Sequence, residues 1–465
     1  MNAVEETVAA QCVNVPHVIK GETVKGAAVT HRSAGLNFAT PALEIDTLVW
    51  SRTEPGPAFN TPLHEIIELL VATGKALSRD HGGLVSEALA QMRRVSPLDG
   101  GVLERCYEDL GSLFNGAELN AQVNNELGGA EVLDGWRETA TPWGQARVRA
   151  FPPRLIHVLA GNAPGVAAQS VIRGALVKGV NLLKLPSNDL FTATAILRTL
   201  AHVAPNHPVV KSFSAVYWRG GDASIEGNLF RPQYFDKLVA WGGEGAIRSA
   251  KNYAAPGFEL VSFDPKTSIS LIGREAFADD ATLARVAKLA GLDTTPFNQA
   301  ACVCSRIQFV EGDAQQVDRY CERLQAELSV ESRTSSVLGP PVPSALREEI
   351  EILRGLAPLY GVWGGYEGRG LVIRSDEPVD FYPDGKIVNV VPVPSLTDAV
   401  RFANVATQTV GVYPPERKAS LRDALASSGV QRVVSLGGAL GPAPGLPHDG
   451  FYPLHRFVRW VNDEG

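Results

Sequence analysis

From residue 154 onward the chain alternates short apolar runs with segments of helical spacing, and no other feature limits the possible folds as strongly. RLIHVLAG (154–161) precedes GVAAQSVIRGALVKG (165–179), and VNLLKLPS (180–187) precedes DLFTATAILRTLAHVA (189–204). SFSAVYW (212–218) and KLVAWGG (237–243) lead on to EGAIRSAKN (244–252). Strands alternating with helices make right-handed crossovers and a largely parallel sheet. Such sheets bind ligands beyond the carboxyl ends of their strands. A second alternating region starts at FELVSFDPKTSISLIG (258–273). It predicts helices over 279–291, 313–329, 344–355, 396–404 and 417–429, with strands at 306–310, 386–393 and 431–438. The fold class is therefore α/β, with two α/β domains as the simplest organisation.

The first 60 residues read as irregular, ending in the turn-rich TEPGPAFNTP. Helical patterns follow at 63–77, 85–95 and 101–114, and ETATPWGQARVRAFPP (138–153) alternates as a protruding hairpin would. The expected organisation is an N-terminal extension over 1–60, a first domain over 61–261, a second over 262–436 and a returning C-terminal segment over 437–465. The net charge of −7, without a basic run, gives no electrostatic reason to bind nucleic acid or an anionic membrane. No apolar stretch approaches the roughly 18 residues of a membrane span. The opening MNAVEETVAA lacks a basic region followed by an apolar one, so no signal peptide is expected. Cys12, Cys106, Cys302, Cys304 and Cys321 form a sparse, odd set that suits a reducing compartment, so a cytoplasmic location is expected.

FNQAACVCSRIQFV (297–310) sets Cys302 in a turn of small residues just before an apolar strand. An accessible thiol whose thiolate is favoured by its surroundings is a good nucleophile. An inert buried cysteine, or a redox pair with Cys304, remains open from these residues alone. No His/Cys cluster completes a tetrahedral metal site. In AGNAPG (160–165), Asn162 stands where a strand gives way to a helix, and its amide could donate to a developing oxyanion; a turn asparagine is the alternative. Lys184 closes the next strand. WGGEGAIRSA (241–250) is a glycine-rich turn opening a helix, whose N–H groups suit a pyrophosphate.

With these segments in this order, the chain resembles the aldehyde dehydrogenase superfamily and, within it, the LuxC-type acyl-thioester (fatty acid) reductases. The resemblance spans roughly residues 150–465. It rests on AGNAPG, LLKLPS, VYW (216–218), VAWGGEGAI (239–247), FDPKTS (263–268), NQAACVCS (298–305) and the C-terminal RVVSLGG, LPHDG and VRWV. It implies a Rossmann-type cofactor domain over 61–261, a catalytic domain over 262–436, and a hairpin that serves oligomerisation. The superfamily's catalytic cysteine and asparagine fall on Cys302 and Asn162. Its cofactor lysine falls on Lys184, and its glycine-rich turn on Gly242, Gly243 and Gly245, with Trp241 beside them. Gln299, His448 and Asp449 are expected to line the substrate side, although a turn held by Asp449 is an equal reading.

Two departures carry meaning. Hydrolytic relatives have a glutamate opening Glu-Leu-Gly-Gly-Lys-Ser, and Ser262 stands at that place in SFDPKT. Without a general base the acyl-enzyme resists water. Ser187 replaces a ribose-binding glutamate common in NAD-preferring members, which removes a charge that repels a 2′-phosphate. NADPH is therefore the expected cofactor and NADH the alternative; a second ribose-binding glutamate has no clean counterpart in FYPDGKIVNV (381–390). The resemblance implies reduction of an acyl thioester to an aldehyde through an acyl-cysteine. An acyl-activating ligase or acyltransferase partner and a homo-oligomer are further expectations. The alternatives are an aldehyde dehydrogenase making acids, which needs another base such as Glu259, and a non-catalytic scaffold for a ligase.

Overall fold

A computed structural model describes residues 12–33, 36–441 and 443–464. The near-continuous apolar runs become strands buried on both faces, as parallel sheets require. In the first seven-stranded sheet the order is Glu259–Phe263, Lys237–Trp241, Arg154–Val158, Val180–Lys184, Phe213–Val216, His17–Ile19 and Glu22–Val24. Its first five members are parallel; His17–Ile19 adds antiparallel to Phe213–Val216, and Glu22–Val24 antiparallel to His17–Ile19. The chain winds from Arg154–Val158 toward one edge, then returns to place Lys237–Trp241 on the other side. The strand order thus reverses between these two neighbours, which opens a crevice beyond their carboxyl ends. Helices Gly165–Leu176 and Thr192–Val203 are buried along most of their length and share one core with Leu63–Ser78. Each fully buried leucine or valine there, such as Leu183 or Val171, contributes roughly 1.5–3 kcal/mol.

The sheet changes at Asp264-Pro265-Lys266, directly after Phe263. The second seven-stranded sheet runs Gly361–Gly364, Leu371–Arg374, Ile387–Val393, Ser305–Glu311, Thr267–Ile272, Thr407–Tyr413 and Arg432–Ser435. It is parallel except for its first pair. Apolar clusters cover its two faces, one around Val286, Tyr320 and Leu324, the other around Leu271, Phe309 and Leu421.

The hairpin appears as Arg137–Thr141 and Gly144–Phe151, and the C-terminal strand Arg459–Glu464 pairs antiparallel with its longer arm, Arg459 opposite Phe151 and Glu464 opposite Ala146. That pairing is made within one chain. Trp143 at the hairpin tip is 94% exposed.

The segment read as irregular needs correction. Residues 13–33 and 36–40 hold short strands, two of them in the first sheet, and Ile45–Leu48 is helical. Three of these strands have only two or three residues, too short to show a period, so only pairing reveals them. No helix among the described residues is long and apolar enough to cross a membrane.

Candidate active site

The crevice of the first sheet collects the loops that leave its strands. After Arg154–Val158 comes Asn162, just ahead of the helix Gly165–Leu176. Its turn packs tightly on the next strand's loop: a Cβ on Gly161 would lie 2.1 Å from Asn188 Oδ1 and 3.1 Å from the Asn188 carbonyl carbon, so a side chain there would displace the Asn188 amide. The Asn162 amide Nδ2 donates to the Ala300 carbonyl at 3.3 Å, while its Oδ1 is buried without a partner. The asparagine of one half therefore touches the cysteine loop of the other.

That loop has an unusual backbone. Phe297, Asn298 and Gln299 all have positive φ, at 51°, 55° and 74°. Non-glycine residues in this region cost on the order of 1–3 kcal/mol each unless surroundings hold them. Here they are held. Asn298 Oδ1 accepts from Ser336 N at 3.0 Å, and its Nδ2 donates to Ser336 Oγ at 2.9 Å. Gln299 is fully buried, donating to Ile387 O at 2.8 Å and accepting from Ile387 N at 3.1 Å. The expectation that Gln299 lines the substrate is corrected: both ends of its amide are spent on a strand's backbone. Cys304 is buried behind the loop and donates to Pro296 O at 3.3 Å; burial pushes its thiol up to about 12, so it stays protonated.

Cys302 is partly exposed. Its carbonyl accepts from Ser268 Oγ at 2.9 Å, and Ser268 Oγ accepts in turn from Thr409 N at 3.2 Å. Gln408, the neighbouring residue on that strand, donates from Nε2 to Cys302 Sγ at 3.3 Å and to Asp449 Oδ1 at 2.5 Å. Burial first, and the Asp449 carboxylate second, hold the Cys302 thiol above its ordinary value, while the Gln408 contact works the other way. Gln408 and Ser268 were not singled out from sequence, and TQTVGVY carries no signal for the former. Arg173 could have been found, since it interrupts the apolar stripe of GVAAQSVIRGALVKG.

Arg173 is buried and donates to His448 Nδ1 at 3.2 Å, which places that ring's proton on Nε2. Burial, with the Arg173 and Arg432 charges, pushes His448 down to about 3, so the ring is neutral. It packs edge-on to Trp241, 5.5 Å between centroids, and beside Phe263 at 5.1 Å. Trp241 and Phe263 are themselves stacked at 3.6 Å. His448 thus works as a neutral aromatic wedge across the strand ends, and Asp449 is the member of LPHDG linked to Cys302, through Gln408. His157 lies fully buried against Asn181 at 3.0 Å.

On the first sheet, Lys184 ends its strand with its ammonium 5.8 Å from the Tyr217 ring; burial lowers its pKa and Glu226 opposes that. Ser187 is half-buried. Asp189 is buried and accepts from Thr192 N at 3.1 Å, so its carboxylate turns into the fold. Gly243 precedes helix Glu244–Lys251, and no atom lies within 4 Å of where a Cβ on Gly243 or Gly245 would stand. Trp241 Nε1, beside that turn, is buried without a partner. These residues could hold a dinucleotide: a cation, an open helix start and unmatched polar atoms share one crevice. Ser262 lies at the carboxyl end of its strand, whereas Glu259 begins the same strand and is paired with Lys237 and Arg456. Glu259 is therefore excluded as a base for Cys302. Among the described residues no His, Cys, Asp and Glu cluster could hold a metal.

Residues 58–460 match the model of a family described as acyl-CoA reductase (LuxC). A long-chain acyl-protein thioester reductase of Aliivibrio fischeri is 32% identical over 358 residues, which cover 74% of this chain and 70% of that one. One from Photorhabdus laumondii is 30% identical over 348 residues, 74% and 69% of the two chains. An aldehyde dehydrogenase of Mycobacterium tuberculosis, solved with NAD+, superposes with a TM-score of 0.69 over 97% of this chain and 98% of that one, at 15% identity. The last likeness is one of fold.

Proposed function

The chain belongs to the acyl-CoA reductase (LuxC) family, and on that premise we propose that it reduces an acyl thioester to an aldehyde through an acyl-cysteine on Cys302, with NADPH as reductant. The observation that carries the reading is the contact of Asn162 with the Cys302 loop, a donor and a nucleophile brought together from different halves. The Cys302 thiolate attacks the thioester carbonyl; the new carbon–sulfur bond forms, the donor's bond breaks, and the leaving thiolate takes up the proton lost by Cys302. The Asn162 amide and the Cys302 N–H hold the oxyanion during both events. A nicotinamide cofactor, when bound, supplies the hydride that reduces the acyl carbonyl. Release of aldehyde returns Cys302 as thiolate.

Several residues support the details. Lys184 and the turn at Gly242, Gly243 and Gly245, open at the last two, would hold ribose and phosphates, with Trp241 beside it. Ser187 offers no negative charge to a 2′-phosphate, and Asp189 faces inward, which favours NADPH over NADH. Ser262 in place of a glutamate, with Glu259 tied up elsewhere, keeps water inert beside the acyl-cysteine. The relatives are named for long-chain acyl-protein thioesters, so the donor proposed here is an acyl group on CoA, a carrier protein or an acylated enzyme, delivered by a ligase or acyltransferase. The exposed Trp143 and the edge strands of the three-stranded sheet suit a homo-oligomer.

Incubating the protein with a panel of acyl thioesters, without cofactor, and weighing it intact tests this directly. The expected result is one acyl mass on the native chain and none on Cys302→Ala. An adduct on another side chain, or none with any donor, rejects it. Equilibrium binding should rank NADPH above NADH.

A further inference from the structure

The geometry points to Gln408 as the positioning residue that turns the Cys302 thiol toward its reactive form, with Asp449 fixing the direction of the Gln408 amide. The inference rests on the reading of Cys302 as nucleophile and adds how that nucleophile is held ready.

An amide has a donor end and an acceptor end, and ordinarily either can face a neighbour. Asp449 removes the choice. An ionised carboxylate only accepts, so the Nε2 end of Gln408 must face it, at 2.5 Å. The same nitrogen then has one hydrogen left, and Cys302 Sγ lies 3.3 Å away to receive it. A thiolate accepts such a bond far better than a thiol, so the contact favours ionisation. Meanwhile Gln408 Oε1 is buried and unpartnered, a cost that the opposite orientation would move to the donor end.

The backbone explains how Gln408 comes to point there. Thr267 pairs with Thr407, yet Ile269 pairs with Val410, so Gln408 and Thr409 together face Ser268. A register shift stands on the other side of Ser268 too, against the strand Ser305–Glu311. Such bulges redirect side chains next to active sites. In this bulge Thr409 reaches the Cys302 carbonyl through Ser268 while Gln408 reaches the sulfur, so one strand grips both ends of the residue.

Asp449 has an opposite effect of its own, since its charge disfavours a nearby thiolate. The charges facing this pair are Arg173 from the helix Gly165–Leu176, Lys266 and Asp264 from the link between sheets, and Arg432 from the edge strand. Asp293 lies beyond Arg432, and the neighbouring His448 is neutral. Gln408 and Asp449 therefore pull the sulfur's ionisation in opposite directions, which gives the proposal a sign test.

The test is the pH dependence of Cys302 alkylation by iodoacetamide, followed by peptide mapping so that Cys12 is counted separately. Gln408→Leu should raise the midpoint by about one pH unit, about tenfold slower alkylation at neutral pH. Asp449→Asn should lower it by a similar amount, because the asparagine oxygen can still accept from Gln408 without the charge. A Gln408→Leu variant that folds and keeps the native midpoint overturns the proposal; if Gln408→Leu fails to fold, Gln408→Met, which keeps the side-chain length without the amide, decides the matter by the same midpoint. Neither acyl donor nor cofactor enters the measurement. A failed acylation with an intact shift in midpoint would therefore reject the proposed function and leave this assignment standing.

Discussion

At Cys302 the element matters as much as the position. A serine there would occupy the same seat, with its carbonyl on Ser268 and its side chain near Gln408. Its hydroxyl, however, ionises far less readily than a thiol at neutral pH. Cys302→Ser should keep cofactor affinity and lose the acyl adduct, as cofactor fluorescence and intact mass would record. At Ser262 the missing group is a base. General-base assistance is worth roughly 10²–10⁴-fold, so Ser262→Glu should make the acyl-enzyme hydrolyse at least tenfold faster, seen as decay of the adduct mass. An adduct as durable as the native one would show that position 262 does not face the thioester. The roles proposed for both residues were suggested by short motifs, through the resemblance that those motifs carry. Gln299 was misread for the converse reason: an amide's role depends on what it meets, and it meets the backbone of Ile387.

The elements around the loop store and balance strain. Asn298 sits at positive φ and bonds both Ser335 and Ser336. Asn298→Ala would leave those groups unmatched and put a Cβ residue without side-chain support in the left-handed region. Chemical denaturation should report a loss of about 2–3 kcal/mol, and acylation should slow as the loop relaxes. On the opposite side, Asp293 near the end of helix Asp280–Thr294 accepts from Gly437 N at 2.8 Å and Ala439 N at 2.9 Å. Burial nevertheless raises its carboxyl from 3.8 to about 6. A raised acid favours the fold while protonated, and that contribution disappears as pH climbs from about 4 to about 6. Relative to the native protein, Asp293→Asn should therefore look better at pH 7 than at pH 4 by about 3 kcal/mol. Denaturant titrations at the two pH values check it; an equal difference at both would mean that the carboxyl is not raised. Elements with strong periods, such as Leu63–Ser78 and Ala314–Glu327, were readable in advance. Thr407–Tyr413 was not, since a strand buried on both faces and rich in threonine shows neither alternation nor an apolar run.

Over the whole molecule, the halves are joined at places far apart in sequence. Arg105 of the first half donates to Arg333 O and pairs with Glu331, while Arg333 pairs with Asp109. The C-terminal segment is clasped by Glu126, which accepts from Leu454 N at 2.6 Å, and by Lys237, which donates to Val458 O at 3.1 Å. It carries Asp449 to the cysteine on its way to the hairpin. Ending the chain at Val458 removes a six-residue strand and bares the edge of Gly144–Phe151. Calorimetry should show a fall in Tm on the order of 5 °C, with aggregation at the exposed edge. An unchanged Tm would mean the strand adds nothing within one chain. The hairpin itself was visible in the sequence, whereas the pairing of Arg459–Glu464 with it inside one chain was not, because antiparallel partners this distant leave no local trace.

Most of the order of strands and helices is a property of short stretches that local periodicity determined, whereas the roles proposed for Cys302, Asn162 and Ser262 follow from the resemblance that those short motifs carry. Which polar groups surround the sulfur was decided only by tertiary structure. Gln408 lies 106 positions from Cys302 and 41 from Asp449, and a bulged register, not a motif, brings the three together. Such contacts follow from how strands are paired, and pairing is fixed by the burial of whole sheets rather than by any residue's neighbours along the chain.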